Sequence, residues 1–267
     1  MYIDISGISV YCESRGQGVP LVCLHGYGVD HRSIKSGMEP ILKEENRFQR
    51  IYFDLPGMGK SAPHPQILGS DDMLEIVLQV IDELLGPDQP FALAGYSYGG
   101  YLARGVVSQM AHRIKGVCLI CPVIRVRREG RKLPEFKCCE QDNDFLASLS
   151  PEQFAAIDQF VTIQTPTVWE QYMSHIQPSL GLSDPKLMMQ LRDSELTNDP
   201  DTGPVYEGPA LILTGRYDVA VGYEDAWKIL HRFPDADFLV LNRAGHLLHM
   251  EQPDLFNTHV RTWLDRI

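Results

Sequence analysis

The chain of 267 residues lacks any stretch approaching roughly 18 consecutive apolar residues, about the length a helix needs to cross a bilayer. No membrane span is expected. Its opening, Met-Tyr-Ile-Asp-Ile-Ser-Gly, has neither a basic segment nor an apolar one, so it does not read as a secretory signal. Positive charge is scarce: 24 Lys and Arg stand against 35 Asp and Glu, for a net charge of −11. Such a chain repels phosphate backbones and anionic lipid at long range, so nucleic acid and membrane are not expected partners. Only a local basic patch could reverse this for a small anionic substrate. Metal-site spacing is also missing. Cys118 and Cys121 form a C-x-x-C inside an apolar run, but no second Cys or His pair accompanies them. Cys23 and Cys118 read as small buried hydrophobes, and the pair Cys138–Cys139 as part of a loop. A reduced, cytoplasmic setting fits, with no metal and no cofactor expected.

What is present is a rhythm. Short apolar runs occur at Pro20–His25, Arg50–Leu55, Phe91–Gly95, Gly116–Ile124, Ala210–Thr214 and Asp237–Leu241. They are continuously apolar rather than alternating, which marks strands buried on both faces of a parallel sheet. Ile3–Ser14 reads as a hairpin turned at Ser6–Gly7. Helical periodicity lies between the runs, over Asp72–Leu85, Gly99–His112, Tyr223–Phe233 and Asp254–Ile267, with Ser70 or Asp71 as the expected cap of the first. Strand alternating with helix implies a doubly wound, mostly parallel α/β sheet. The rhythm breaks once. Residues 125–208 show no convincing strand but carry helical pieces at Pro151–Ile163 and Thr167–Ile176. This segment is expected to be a helical insertion over one end of a core made of 1–124 and 209–267. The basic run that opens it (Arg125, Arg127, Arg128, Arg131, Lys132) reads as a solvated face.

The strongest chemical signal is Gly95-Tyr96-Ser97-Tyr98-Gly99. An apolar strand ends just before it and an amphipathic helix starts just after it, the setting a nucleophile elbow requires. A serine hydroxyl is a weak nucleophile without a base. Of nine histidines, His246 is best placed, directly after the last strand in Asn-Arg-Ala-Gly-His; His249 is a weaker alternative. His25, at the end of the first buried strand, reads as structural. The base needs an acid to fix its tautomer. Asp218 follows the strand at 210–214 directly, whereas Asp54 reads as a loop brace. The order Ser97, Asp218, His246 suits a strand-end triad on this kind of sheet.

With these residues in place, the whole chain resembles the α/β-hydrolase superfamily, in its serine-nucleophile, cap-bearing, esterase-like branch. The carriers are H-G-Y-G (25–28), D-L-P-G-M-G-K-S (54–61), G-Y-S-Y-G-G (95–100), G-R-Y-D (215–218) and G-H-L-L-H-M-E-Q-P (245–253). The resemblance implies that 125–208 is a cap, and that the backbone N–H groups of Tyr27 and Tyr98 form an oxyanion hole. Departures narrow the branch. Ser97 stands where haloalkane dehalogenases and epoxide hydrolases carry Asp. Tyr98 departs from the tryptophan of proline iminopeptidases, and Tyr101 from the arginine of the menaquinone-pathway lyase. Tyr96 and Leu247 depart from the pattern of ring-cleavage C–C hydrolases. The expected activity is hydrolysis of an ester-like bond in a small, fairly apolar acyl compound through an acyl-enzyme. Two alternatives stay open: a C–C hydrolase or lyase using the same triad, and a small-molecule sensor on a hydrolase scaffold. Phe160, Trp169 and Tyr172 in the insertion are expected to line the acyl pocket, making it apolar.

Overall fold

The computed structural model describes residues 1–43 and 46–267. The chain opens with a hairpin of β1 (Tyr2–Ile5) and β2 (Ile8–Arg15), whose turn residues Ser6 and Gly7 both have positive φ, as a two-residue hairpin turn demands. Alternating strands and helices follow: β3 (Val19–Leu24), α1 (Arg32–Leu42), β4 (Phe48–Phe53), α2 (Ser70–Leu85), β5 (Phe91–Tyr96), α3 (Tyr98–Met110) and β6 (Ile114–Ile120). Next come β7 (Glu140–Gln141), α4 (Asn143–Ser148), α5 (Pro151–Ile157), β8 (Ile163–Gln164), α6 (Pro166–His175) and α7 (Pro185–Leu191). The chain closes with β9 (Ala210–Gly215), α8 (Glu224–Trp227), β10 (Ala236–Leu241), α9 (Leu248–Glu251) and α10 (Pro253–Leu264).

Eight strands form one sheet in the order β1-β2-β4-β3-β5-β6-β9-β10. It is parallel from β4 to β10; β2 pairs antiparallel with both β1 and β4, so β2 runs against the other strands. The unbroken apolar runs follow from this arrangement. Every residue of β5 and β9 is buried, because helices cover both faces of the central strands. Each Leu, Val or Phe so enclosed contributes about 1.5–3 kcal/mol. Edge strand β10 is only partly covered. Among the described residues, no helix is long and apolar enough to cross a membrane.

Several local expectations are corrected. Helix α1 has no counterpart among the expected elements, because Gly37 and Pro40 inside it read as breakers. Its buried stripe Ile34, Met38, Ile41, Leu42 is nevertheless helical. Helix α2 is not capped by Ser70 or Asp71. Asp72 reaches back to accept from Leu68 N at 2.8 Å and Gly69 N at 3.1 Å. Strand β6 stops at Ile120 rather than Ile124, since Cys121 turns to φ 41° and Pro122 follows. The expected helix at Tyr223–Phe233 is broken into α8 and a short turn at Leu230–Arg232.

The segment between β6 and β9 carries the short helices α4 to α7 joined by irregular chain, with a small parallel pair, β7–β8, that the sequence reading did not include. Its packing is twofold. Ile157, Val161, Ile163, Val168, Tyr172 and Ile176 form a second apolar cluster seated on Leu247 and Met250. By contrast, Leu187, Leu191, Leu196 and Tyr206 join the main core.

Candidate active site

Strand β5 ends at Tyr96 and α3 begins at Tyr98, which leaves Ser97 alone in the turn. It sits at φ 56°, ψ −115°, a conformation that a non-glycine residue holds only when its surroundings enforce it. Two glycines permit the turn. A Cβ on Gly99 would lie 2.2 Å from the Leu24 carbonyl oxygen, and one on Gly95 would lie 2.5 Å from that of Gly99. Hydrogen bonds pin both sides: Ser97 N donates to Ile120 O at 2.9 Å, and Val123 N donates to Ser97 O at 3.0 Å.

The loops after β9 and β10 lie at the same edge of the parallel sheet, so they bring Asp218 and His246 to this turn. His246 Nε2 is 3.0 Å from Ser97 Oγ, and His246 Nδ1 is 2.8 Å from Asp218 Oδ2. Asp218 is fully buried. Its Oδ1 accepts from Ala220 N at 2.8 Å and Val221 N at 3.0 Å, which locks the carboxylate plane. A carboxylate on Nδ1 holds the proton there and leaves the Nε2 lone pair facing the serine hydroxyl. The Tyr96 hydroxyl donates to His246 O at 3.2 Å, and the two rings lie 5.2 Å apart.

The other acidic and basic candidates fall elsewhere. Asp54 accepts from His31 N, His31 Nδ1 and Lys60 N, which braces its loop. His25 accepts from Leu55 N on Nε2, so its Nδ1 donates to Gly26 O at 2.8 Å. Burial pushes its pKa down. His249 lies between the rings of Tyr96 and Phe256 rather than on Ser97. Burial, reinforced by repulsion from His246 and His175, lowers it to about 3. Among the described residues, the N–H groups of Tyr27 and Tyr98 donate to no protein acceptor, and the latter opens α3 at its positive end.

Glu251 escaped the sequence reading. It is buried, and it accepts from Gly245 N at 2.6 Å, Thr162 N at 2.6 Å and Thr162 Oγ1 at 2.9 Å. It thus ties the residue before His246 to the inserted segment. Burial raises its pKa against these bonds. A lone carboxylate two residues before Pro253 in an apolar stretch was the available signal.

Two cavities meet at Ser97 and share Tyr27, Phe160 and His246. One, about 250 Å³, is lined by Val29, Ala156, Tyr172, Ile176, Leu180 and Leu247. The other, about 350 Å³, is bordered by Val126, Leu191 and Val221 and by Arg128, Arg131 and Arg192. Phe160 lines both cavities and Tyr172 the first, whereas Trp169 lines neither. It stacks behind Tyr172, with ring centres 5.6 Å apart, and touches Phe145. The expectation of a wholly apolar pocket is also corrected, since two arginines of the supposed solvated run border the second cavity.

Residues 21–259 match the alpha/beta hydrolase family, and the chain belongs to that family. It is a hydrolase of the α/β fold. It is similar to an alpha/beta superfamily hydrolase from Oenococcus oeni PSU-1, with a TM-score of 0.88 and 30% identity, covering 100% of this chain and 98% of that one. It is 25% identical to the pimeloyl-[acyl-carrier protein] methyl ester esterase of Legionella pneumophila (strain Paris), over 94% of this chain and 97% of that protein. It is 29% identical to the dihydrolipoyllysine-residue acetyltransferase component of the acetoin cleaving system of Pseudomonas putida. That match covers 92% of this chain and 64% of the longer protein.

Proposed function

We propose that the protein is a serine hydrolase that cleaves an ester bond in a small acyl compound. The observation that carries this reading is the relay from Ser97 Oγ to His246 Nε2 at 3.0 Å and from His246 Nδ1 to Asp218 at 2.8 Å, opening on two cavities. Its similarity to pimeloyl-[acyl-carrier protein] methyl ester esterases supports an ester as the bond cleaved. Ser97 Oγ attacks the carbonyl carbon while its proton passes to His246 Nε2. The oxyanion rests on the N–H groups of Tyr27 and Tyr98, which among the described residues have no other acceptor to compete. The C–O bond to the alcohol breaks, and that oxygen takes the proton from Nε2. Water then attacks the acyl carbon, gives a proton to His246, and Ser97 leaves with it. Residues 125–208 act as the cap, with Phe160 and Tyr172 as its contribution to the apolar side of the site.

A fluorophosphonate probe is expected to label the protein once, at Ser97, and short-chain methyl esters to be hydrolysed. Ser97→Ala should abolish both. Labelling that survives in Ser97→Ala removes the nucleophile from the proposal.

A further inference from the structure

The second cavity holds an unusual concentration of one charge. Arg128, Arg131 and Arg192 border it together with Ser97 and His246, in a chain whose net charge is −11. Arg131 is half-buried and held in place. Its Nε donates to Arg125 O at 2.8 Å, Nη1 to Ala220 O at 2.7 Å and Nη2 to Val126 O at 2.5 Å. These carbonyls satisfy its donors; Asp218 and Glu129 act on its charge only through space, with no ion pair formed among the described residues. A one-turn helix at Arg128–Gly130 places Arg128 directly before it, and the Arg131 N–H closes that turn on Arg128 O. Arg192 comes from the end of α7, on the opposite side of the inserted segment. Arg128 and Arg192 are exposed, and among the described residues neither side chain has an ion-pair or hydrogen-bond partner. Their acidic neighbours in sequence, Glu129 and Asp193, pair with none of the three.

Several arginines elsewhere in this molecule are held by carboxylates. Arg104 pairs with Asp201, Arg113 with Asp82, Arg50 with Glu39 and Arg32 with Asp30. Three arginines border one cavity beside the hydroxyl proposed to react, and among the described residues none of them forms an ion pair with a carboxylate, which leaves a region of positive potential. The planar donor forks of Arg128 and Arg192 remain free to grip an oxyanion.

Resting on the serine-esterase reading, we infer that this chamber binds an anionic group carried by the substrate itself. The preferred substrate is then a two-ended molecule, an ester with a carboxylate or phosphate elsewhere on the chain. The ester carbonyl sits at Ser97, apolar carbons lie toward Phe160 and Tyr172, and the anion meets Arg128 and Arg192. Long-range repulsion by the acidic surface does not oppose this, because exposed charges beyond a Debye length, about 10 Å at 0.1 M salt, are screened while those lining the cavity act at contact.

Matched substrates test it. Methyl hydrogen adipate, dimethyl adipate and methyl 6-(phosphonooxy)hexanoate carry the same ester with a carboxylate, a neutral or a phosphate end. The measured quantity is the ratio of kcat/KM for each anionic ester to that of dimethyl adipate, which cancels any general loss of activity. In the wild-type protein the ratio should exceed about tenfold for at least one anion, as two charge-assisted contacts would give. Which anion wins distinguishes a carboxylate subsite from a phosphate subsite. The ratio should fall toward unity in Arg128→Gln/Arg192→Gln and recover in part in Arg128→Lys/Arg192→Lys. Titration calorimetry on Ser97→Ala gives the same comparison without turnover. Tighter binding of an anionic ester supports the subsite even if the esterase reading fails, and that failure would show separately as no hydrolysis of any ester by the wild type. Ratios at or below one for both anions, or a preference that the double glutamine variant leaves intact, would overturn the inference.

Discussion

Asp218 performs two tasks with two oxygens, and the distinction predicts what an isosteric change does. Oδ1 is held by the N–H groups of Ala220 and Val221, and Oδ2 faces His246 Nδ1. In Asp218→Asn the amide oxygen keeps the two N–H donors, so its NH2 group points at His246. Nδ1 must then accept, the ring proton moves to Nε2, and the base can no longer take the Ser97 proton. We expect kcat to fall by about 10⁴, the order found when the same change was made in a serine protease triad. The far-ultraviolet circular dichroism should stay unchanged. A loss below tenfold would assign the orienting role to another group. The outward-facing residues are as informative. Phe154 and Met173 lie at near-helical spacing from Phe160 and Tyr172 yet are exposed. A near-helical pattern alone does not say which side chain meets a cavity formed with another part of the chain.

At the scale of elements, the His246 loop and the inserted segment are joined by one buried carboxylate. Glu251 on α9 collects N–H groups from Gly245 and Thr162 and the Thr162 hydroxyl. Removing it leaves buried donors unpaired, at about 1–3 kcal/mol each. Glu251→Ala should therefore lower unfolding free energy in urea by roughly 3 kcal/mol. It should also reduce kcat, because the loop carrying His246 loses its anchor to the insertion. A variant within about 1 kcal/mol of wild type would show that the loop is held by other contacts. Legibility also varied between elements. Strands β3 to β6 and β9 were readable because burial on both faces writes itself into continuous apolar runs. Helix α1 was hidden by Pro40, which lies in its last turns, where the break it signals falls near the natural end.

The molecule as a whole carries a pH dependence built from buried neutral histidine. His249 is lowered from its ordinary 6.5 to about 3, first by burial and then by repulsion from His246 and His175. In the unfolded chain it binds a proton below about 6.5 that the folded protein refuses until about 3. Stability should therefore fall as pH drops through that window, by up to about 1.4 kcal/mol per unit from this residue. His25, also lowered by burial, pushes in the same direction. Denaturation midpoints measured from pH 7 to pH 5 should decline in the wild type and decline less in His249→Leu. Equal slopes in the two proteins would show that His249 is not the group responsible.

Sequence alone was sufficient to nominate Ser97, Asp218 and His246 and to read the sheet, and the reason is locality. A strand–turn–helix around Ser97, and strand ends preceding Asp218 and His246, are short-range patterns. The parallel order of the sheet then brings those ends to one edge. The arginine-bordered cavity, the Glu251 tie and the turning of Trp169 behind Tyr172 were decided only by tertiary structure. Arg131 gains its place by donating to the carbonyl of Ala220, a residue 89 positions away. Glu251 reaches Thr162 across the same number of positions. No spacing records such a meeting. The basic run at 125–132 has the composition of a solvated surface whether it faces water or a substrate. Which it faces depends on how the chain leaves β6 at Cys121 and folds back over Ser97.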